Sequence, residues 1–301
     1  MFSNLHQLIG LANDRQVPIS EIMIEREIHE TGKPRSEIFD TMRSYLKIMG
    51  ESVARGQTTK SLSPSGLTGG DAKRLADYYE SRRTLLGKPG NVAISMALAV
   101  SETNASMGRI IATPTAGSAG ILPGVLFSLK QRFGWDDEKL LYGVFTASAI
   151  GFVIANNASI SGAGGGCQAE VGSATAMAAG AAVELAGGTP DEVGHAVGLA
   201  LKNVLGLVCD PIAGLVEIPC IVRNGVHAVM ALAAADMALA GIKSIIPPDE
   251  VVHTLNSIGN SMPKEWKETA LGGLAATPTG QKIKAQLKKD PYSDKGGERE
   301  T

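Results

Sequence analysis

The sequence predicts an all-α fold: a single multi-helix domain with buried Ala- and Gly-rich helices and cysteines carried on loops. Apolar residues recur three to four positions apart between helix-starting and helix-breaking residues, and no segment alternates apolar and polar residues over a strand length. Of the 28 Lys and Arg and 30 Asp and Glu, only 18 lie between Pro89 and Lys243. With 36 Gly and 4% aromatic residues in the chain, the helices of this charge-poor half are expected to be buried and closely packed.

Length and composition argue against several classes of protein. A chain of 301 residues can bury a sizeable core, and a hydrophobic fraction of 44% is ordinary for a globular protein. A formal net charge of -2 argues against a nucleic-acid-binding protein, and three cysteines argue against a disulfide scaffold. The N-terminus lacks a signal-peptide pattern, and the longest uncharged stretch, Leu140–Ala169, contains amides and a Gly-rich tail that are costly in lipid. We therefore expect a cytoplasmic protein without nucleic-acid or membrane partners.

Residues 1–60 are predicted to form an N-terminal helical segment packed on the main domain. Ser20 and Ser36 are the expected N-caps of two of its helices. The helix after Ser36 carries an amphipathic stripe, which consists of Ile38, Met42, Tyr45 and Met49. The Ser-, Pro- and Gly-containing segment 58–70 indicates a loop, and from Asp71 the pattern is again that of a helix.

The central part of the chain is predicted as helices separated by loops of small residues. Apolar runs of helical length predict helices over 91–106, 125–133, 140–157 and 168–188. The acids of GWDDEK, Asp136, Asp137 and Glu138, lie at the start of the helix predicted over 140–157. Thr189, followed by Pro190 and two acids, marks a further helix start.

The last part of the main domain combines an irregular segment with long helices. Residues 206–220 contain two Pro and internal Gly, which indicate irregular backbone. A long buried helix is expected over 221–241, and another begins near residue 247. We therefore place the main domain at residues 61–285, and we expect the polar tail 286–301 to be disordered.

Three cysteines carry the main chemical signal. Cys167 follows three glycines, Cys209 precedes Asp-Pro, and Cys220 follows Pro219, so each thiol adjoins a helix breaker. Breakers place a thiol on a turn, where backbone N–H groups can surround a metal cluster. Three alternatives remain open from spacing alone: three separate buried thiols, a catalytic zinc site, or a 4Fe–4S cluster with three thiolates and one open iron. The zinc interpretation lacks the usual Cys-x-x-Cys spacing and a nearby His.

Three long motifs place these cysteines in a recognisable context. GRIIATPTAGSAGILPG, NNASISGAGGGCQAEVGSA and GLVCDPIAGLVEIPCIVRN resemble the iron–sulfur-dependent L-serine dehydratase family, in its α chain or the equivalent domain of fused members. The resemblance extends from about Ser61 to Ala275. It implies conversion of L-serine to pyruvate and ammonia without pyridoxal phosphate, as part of amino-acid catabolism and gluconeogenesis.

The resemblance also implies a cofactor and a partner. Cys167, Cys209 and Cys220 match the family cysteines that hold the 4Fe–4S cluster. A β chain with an ACT-like regulatory region is the expected partner in a hetero-oligomer. Some fused members end in a cysteine that caps the fourth iron, whereas this sequence ends in GERET, so we expect no such lid from this chain.

Two loops of small residues are candidates for binding the substrate carboxylate. The first supplies Thr113, Thr115 and Gly117, and the second supplies Ser63, Ser65 and Gly66. Free N–H groups and hydroxyls ahead of a helix bind anions. The alternative for both is a close-packed loop that needs small residues to fit.

Further candidates lie beside the cysteines. Asn157 and Ser161 contact the substrate, bond the sulfurs of the cluster, or cap a helix. Arg223 either pairs with the substrate carboxylate or forms a salt bridge with Glu217 or Glu170.

Three side chains are candidates for the general base. They are Lys73, His195 and His227, and the β chain is another possible source of the base. Two other functions stay open: a different hydro-lyase of cubane type, and a zinc-stabilised helical binding protein.

Overall fold

Thirteen α-helices and no β-strand occupy residues 1–289, the part of the chain that a computed structural model describes. The all-α prediction is confirmed. The helices are α1 (Leu5–Arg15), α2 (Ile19–Thr31), α3 (Arg35–Thr58), α4 (Asp71–Ser81), α5 (Gly87–Ala105), α6 (Ile121–Phe133), α7 (Asp137–Asn157), α8 (Gly162–Gly165), α9 (Cys167–Leu185), α10 (Pro190–Lys202), α11 (Cys220–Leu239), α12 (Pro248–Ser261) and α13 (Pro278–Lys289).

Helix α9 lies at the centre of the molecule. Helices α6, α7, α10 and α11 pack around it, and all of its residues except Glu184 are buried. Its small side chains allow this close approach: a Cβ on Gly172 would lie 2.6 Å from the Cγ2 of Val204. Because α9 begins at Cys167, the buried Ala- and Gly-rich helix also sets the position of the first cysteine.

The N-terminal helices share the core of the main domain. Helix α2 packs against α7, and α3 packs against α5. Buried Leu5, Leu8 and Ile24 belong to the same hydrophobic cluster as Phe145. The division of the chain at residue 60 stays a prediction. At the other end, α13 continues to Lys289, four residues into the predicted tail, and the rest of that tail lies outside the described residues.

Two helix starts are found where acids and hydroxyls predict them. Thr189 caps α10 in a capping box, since its Oγ1 accepts from the N–H of Glu192 at 3.3 Å and its own N–H donates to the Glu192 carboxylate at 2.7 Å. Asp136 caps α7 by accepting from the N–H of Lys139 at 2.8 Å. Both predictions are confirmed.

Two other predicted N-caps are wrong. Helices α2 and α3 follow Pro18 and Pro34, rather than using Ser20 and Ser36 as caps. Proline suits this place because its φ is preset and the residue before a helix needs no N–H donor. At the start of α2, the N–H of Ser20 donates to the carboxylate of Glu184 on α9, at 3.3 Å to each oxygen. A side chain distant in sequence therefore takes the place of the local cap.

Helix α7 is, among the described residues, the one helix long and apolar enough to cross a membrane by length and composition. Of its apolar window, 67% is buried inside the protein. Its Phe145 packs against Phe39 of α3, with ring centroids 5.2 Å apart. Burial of this kind is that of a core helix.

Substitution of Gly56 tests the close packing of α3 on α5. A Cβ at this position would overlap the backbone of Ala99, which cannot move as a side chain can. We expect Gly56→Ala to lower the free energy of unfolding by about 1–3 kcal/mol, because overpacking outweighs the gain in helix propensity. Gly10→Ala in α1 is the control: no atom lies within 4 Å of its Cβ, so it should stabilise by up to about 1 kcal/mol. Urea unfolding of both variants measures the difference, and equal effects would refute the packing argument.

The carboxyl of Glu184 is expected to make the free energy of unfolding depend on pH. Burial raises the pKa of its carboxyl, which accepts hydrogen bonds from the hydroxyl of Thr146 at 2.7 Å and the N–H of Ser20. A carboxyl whose pKa is higher in the folded than in the unfolded protein contributes fully to the free energy of unfolding at low pH. That contribution is lost as the pH rises from the unfolded pKa of about 4.3 through the folded pKa. Glu184→Gln keeps the acceptor oxygen without the charge. We expect this variant to exceed the wild type in stability at pH 8, with the difference shrinking towards pH 4; lower stability at pH 8 would contradict this.

Candidate metal centre

All three cysteines are free and buried, with exposures of 1%, 2% and 5% for Cys167, Cys209 and Cys220. Cys167 is the first residue of α9, directly after Gly166 in a left-handed conformation (φ 76°). Cys220 is the first residue of α11. Both thiols therefore lie at helix N-termini, where the helix dipole favours negative charge.

Cys209 lies on an extended segment that a second stretch of chain holds in place. Its N–H donates to the carbonyl of Trp266, and its carbonyl accepts from the N–H of Glu268, both at 2.8 Å. Gly162 of α8 adjoins it, and a Cβ there would lie 2.7 Å from the Cys209 Sγ. Cys209 is thus positioned by backbone pairing rather than by a helix.

The thiols of Cys167 and Cys209 form one group with a carboxylate. Their Sγ atoms and a carboxylate oxygen of Glu170 all lie within 4.8 Å of one another, and all three residues are buried. Glu170 follows Cys167 by three residues on α9, so both side chains project from one face of the helix. Cys220 is not part of this compact group, but Asn224 donates to its carbonyl and to that of Gly117, which adjoins the Glu170 carboxylate.

The protonation of the thiols follows from this arrangement. A hydrogen bond from the Cys209 thiol lowers the pKa of Cys167, and the guanidinium of Arg223 lowers it further. The pKa of Cys209 is raised by the same shared hydrogen bond and by burial. Burial, together with the negative charge of Cys167, raises the pKa of Cys220 to about 12. Deprotonating all three thiols therefore requires a cation among them.

Arg223, on the helix that begins at Cys220, contacts the residues on both sides of Cys209. Its Nη1 donates to the carbonyl of Val208 and its Nη2 to Asp210 Oδ1, both at 2.9 Å. The other oxygen of Asp210 accepts from the N–H of Leu274 at 2.8 Å. The ion pair is thus made with Asp210 and not with Glu217 or Glu170, the two partners that the sequence analysis considered.

The first small-residue loop lies directly against Glu170. The hydroxyl of Thr115 donates to Glu170 Oε1, and a Cβ on Gly117 would lie 2.6 Å from the same oxygen. The buried amide of Asn224 donates to the carbonyls of Gly117 (2.7 Å) and Cys220 (2.9 Å). Thr113, at the base of the loop, is buried and joined to Pro114 by a cis peptide bond. The loop is therefore tied to both α9 and α11.

The second small-residue loop surrounds a carboxylate of the protein itself. The hydroxyls of Ser63 and Ser65 donate to Glu217 Oε2 at 2.7 and 2.9 Å, and the hydroxyl of Thr68 donates to the same oxygen at 2.5 Å. Gly66, at φ 72°, forms the turn between Ser65 and Thr68. Glu217 precedes Cys220 by three residues, so this loop adjoins the segment that bears the third cysteine.

The remaining candidates lie in simpler surroundings. Asn157 donates to the carbonyls of Ser3 and Val153 at the end of α7, and Ser161 caps α8 through the N–H of Gly164. Lys73 forms an exposed ion pair with Asp77 (2.8 Å).

The two candidate histidines differ in position. His195 is half-buried on α10, a helix without a cysteine. His227 is buried on α11, its Nδ1–H donates to the Arg223 carbonyl at 2.7 Å, and burial lowers its pKa.

Sequence reasoning did not assign the carboxylates and the amide of this site to it: Glu170 and Glu217 were considered only as salt-bridge partners of Arg223. Glu170, Glu217, Asp210 and Asn224 all contact predicted site residues. For Glu170 the signal was present, since a residue three positions after a helical cysteine shares its face. For Glu217 there was none, because its hydroxyl donors come from residues about 150 positions away.

Comparison with known proteins agrees with the site. Residues 14–275 match the family described as "Serine dehydratase alpha chain". The chain is 51% identical over 301 residues to "Probable L-serine dehydratase, alpha chain" of Bacillus subtilis (strain 168), covering 100% of this chain and 99% of that protein. It is 41% identical over 290 residues to "L-serine dehydratase, alpha chain" of Peptoniphilus asaccharolyticus, covering 96% and 99%. It is 40% identical to "L-serine dehydratase" of Streptomyces coelicolor over 275 residues, 59% of that longer protein. The chain belongs to the serine dehydratase alpha chain family.

Proposed function

We propose that this chain is the catalytic α chain of an L-serine dehydratase, which converts L-serine to pyruvate and ammonia without pyridoxal phosphate. One observation carries the proposal. In a chain of this family, free and buried Cys167 and Cys209 meet a buried Glu170 within 4.8 Å, and Cys220 begins the neighbouring helix α11. We assign Cys167, Cys209 and Cys220 as the ligands of a 4Fe–4S cluster.

The residues present fit such a group. Thiolates are the usual ligands of iron–sulfur clusters, and two helix N-termini and Arg223 supply the positive potential that stabilises them. When bound, the cluster supplies a Lewis acid that makes the substrate hydroxyl a better leaving group.

The loop Thr113–Gly120 is suited to hold the substrate carboxylate. The backbone N–H groups of Thr115, Ala116, Gly117 and Ser118 have no acceptor among the described residues. Consecutive free N–H groups form an anion-binding concavity. Asn224 fixes this loop to the start of α11, so the carboxylate would be held beside the cysteines.

The other candidates are assigned by their contacts. His227 fits the base better than Lys73 or His195, because it lies on the helix that begins at Cys220. With Nδ1–H donated to a carbonyl, its Nε2 carries the lone pair that accepts a proton. Asn157 and Ser161 act as helix-end groups, and Ser63, Ser65 and Gly66 position the segment of Glu217 beside the site.

The partner and cellular setting are part of the proposal. The names of the relatives that match over their full length include "alpha chain", which supports a β chain as partner. We propose that the β chain carries an ACT-like regulatory region, and that the enzyme acts in the cytoplasm in serine catabolism and gluconeogenesis.

Anaerobic purification of the chain with its β chain tests the function. We expect a broad visible absorption band that bleaches in air, iron and sulfide in equal amounts, and pyruvate formation from L-serine. A colourless protein with stoichiometric zinc and no lyase activity would instead support the zinc-stabilised binding protein. A cluster without activity on serine, but with activity on a hydroxy acid, would support another cubane hydro-lyase.

A further inference from the structure

Glu170 differs from the other buried carboxylates of the described residues in how little binds it. Glu102 accepts from the N–H groups of Asp71 (2.6 Å) and Ala72 (3.3 Å), and Glu217 accepts from three hydroxyls. Glu184 accepts hydrogen bonds from Thr146 and Ser20. Asp210 accepts them from Arg223 and Leu274. Glu170 accepts one hydrogen bond, from Thr115 to Oε1, and its Oε2 has no donor among the described residues.

A buried carboxylate with a single donor is stable as an anion only when a cation lies beside it. Glu170 is only 7% exposed, and the negative charge of Glu268 acts on it as well. The cost of burying such a charge is large unless a cation or several hydrogen bonds compensate it. No basic side chain forms an ion pair with Glu170 in the described residues. Its surroundings on the cysteine side are the thiols of Cys167 and Cys209, within 4.8 Å.

The loop opposite Glu170 is shaped around its carboxylate. A Cβ on Gly117 would lie 2.6 Å from Oε1, 3.0 Å from the carboxyl carbon and 3.1 Å from Oε2. Any other residue at 117 would therefore displace the carboxylate. Thr115 orients Oε1, which leaves Oε2 as the oxygen that is free to bind a metal.

On the basis of the proposed function, we propose that Glu170 is a fourth protein ligand of the cluster. Its carboxylate binds the iron that the three cysteines leave open while no substrate is present. On substrate binding the Fe–O bond to Glu170 breaks and a bond to the serine hydroxyl forms. This is an exchange of one oxygen ligand for another, in which no electrons are transferred.

The experiment compares Glu170→Gln with the wild type in the anaerobic holoenzyme. The variant should contain the same iron as purified, but without substrate it should lose the fourth iron on mild oxidation about tenfold faster or more, measured by EPR of the resulting 3Fe–4S cluster. L-serine should reduce this difference, because serine occupies the same iron. Glu184→Gln is the matched control: it makes the same change to a half-buried acid of the same helix, and it should lose iron at the wild-type rate.

A second measurement needs no variant and separates this proposal from the proposed function. With glutamate labelled by ¹³C, the reduced wild-type cluster should show a carboxylate ¹³C coupling in ENDOR that disappears when L-serine is added. No such coupling in an enzyme with an intact cluster would overturn the assignment of Glu170 and leave the proposed function standing. Equal rates of iron loss in Glu170→Gln and the wild type would do the same, whereas a wild type without any cluster would refute the proposed function itself.

Discussion

Replacing Cys209 by alanine is expected to remove the cluster and pyruvate formation together. The Cys209 Sγ lies within 4.8 Å of the Cys167 Sγ and of a Glu170 carboxylate oxygen, and backbone pairing with Trp266 and Glu268 holds it there. No other thiol among the described residues can take its place, since Cys167 and Cys220 begin separate helices. The loss of activity should exceed the roughly 10–100-fold that removal of an outer-shell partner causes.

The absorption band, the iron content and the rate of pyruvate formation measure this effect. Val208→Ala is the control, because it shortens the neighbouring half-buried side chain and leaves the thiol and the backbone pairing in place. This variant should retain colour, iron and activity. A Cys209→Ala enzyme with full iron content and activity would refute the ligand role of Cys209.

Replacing Arg223 by methionine is expected to cost both stability and bound iron. Arg223 is 16% exposed and Asp210 is 5% exposed, and their 2.9 Å ion pair is supported by the bond from Arg223 to the Val208 carbonyl. Leaving one partner of a buried pair without the other costs about 3–5 kcal/mol. Because Val208 and Asp210 flank Cys209, the loss should also displace that thiol. The pKa of Cys167 should rise as well, since the guanidinium lowers it.

Urea unfolding of the apo chain and iron analysis of the holoenzyme measure the two effects. A double variant, Arg223→Met with Asp210→Asn, should lose less stability than the sum of the single variants, because the unpaired charge is then absent. If Arg223 instead binds the substrate carboxylate, Arg223→Met will raise the KM for serine and leave stability and iron content unchanged. That result would contradict a positioning role.

The sequence predicted those parts of the fold that depend on neighbouring residues. The capping box of Thr189 and Glu192 and the acids at the start of α7 lie where the sequence places them. All three cysteines lie at breaks between helices, as their flanking Gly and Pro predict. Helix caps and breaks involve residues within about four positions of one another, so a local pattern contains the information needed to find them.

The errors lie where a distant residue replaces a local one. Ser20 does not cap α2, since the carboxylate of Glu184 on another helix accepts from its backbone. Ser63 and Ser65 have the composition of an anion-binding loop, but the anion they bind is Glu217 of the same chain. In both cases the donor was recognisable, and its acceptor, about 150 or more residues away, was not.

The sequence by itself determined the helical class, the placement of Cys167, Cys209 and Cys220 next to helix-breaking residues, and the likeness of its motifs to a family. Only the tertiary structure decided which groups meet. It brings Glu170 to two of the thiols, pairs Arg223 with Asp210, and leaves the N–H groups of residues 115–118 without acceptors among the described residues. The physical reason is that helix periodicity and capping act over a few residues, whereas a metal centre is assembled by packing. Buried α9 and α11 start at cysteines, and only their packing brings those two ends and the segment of Cys209 together.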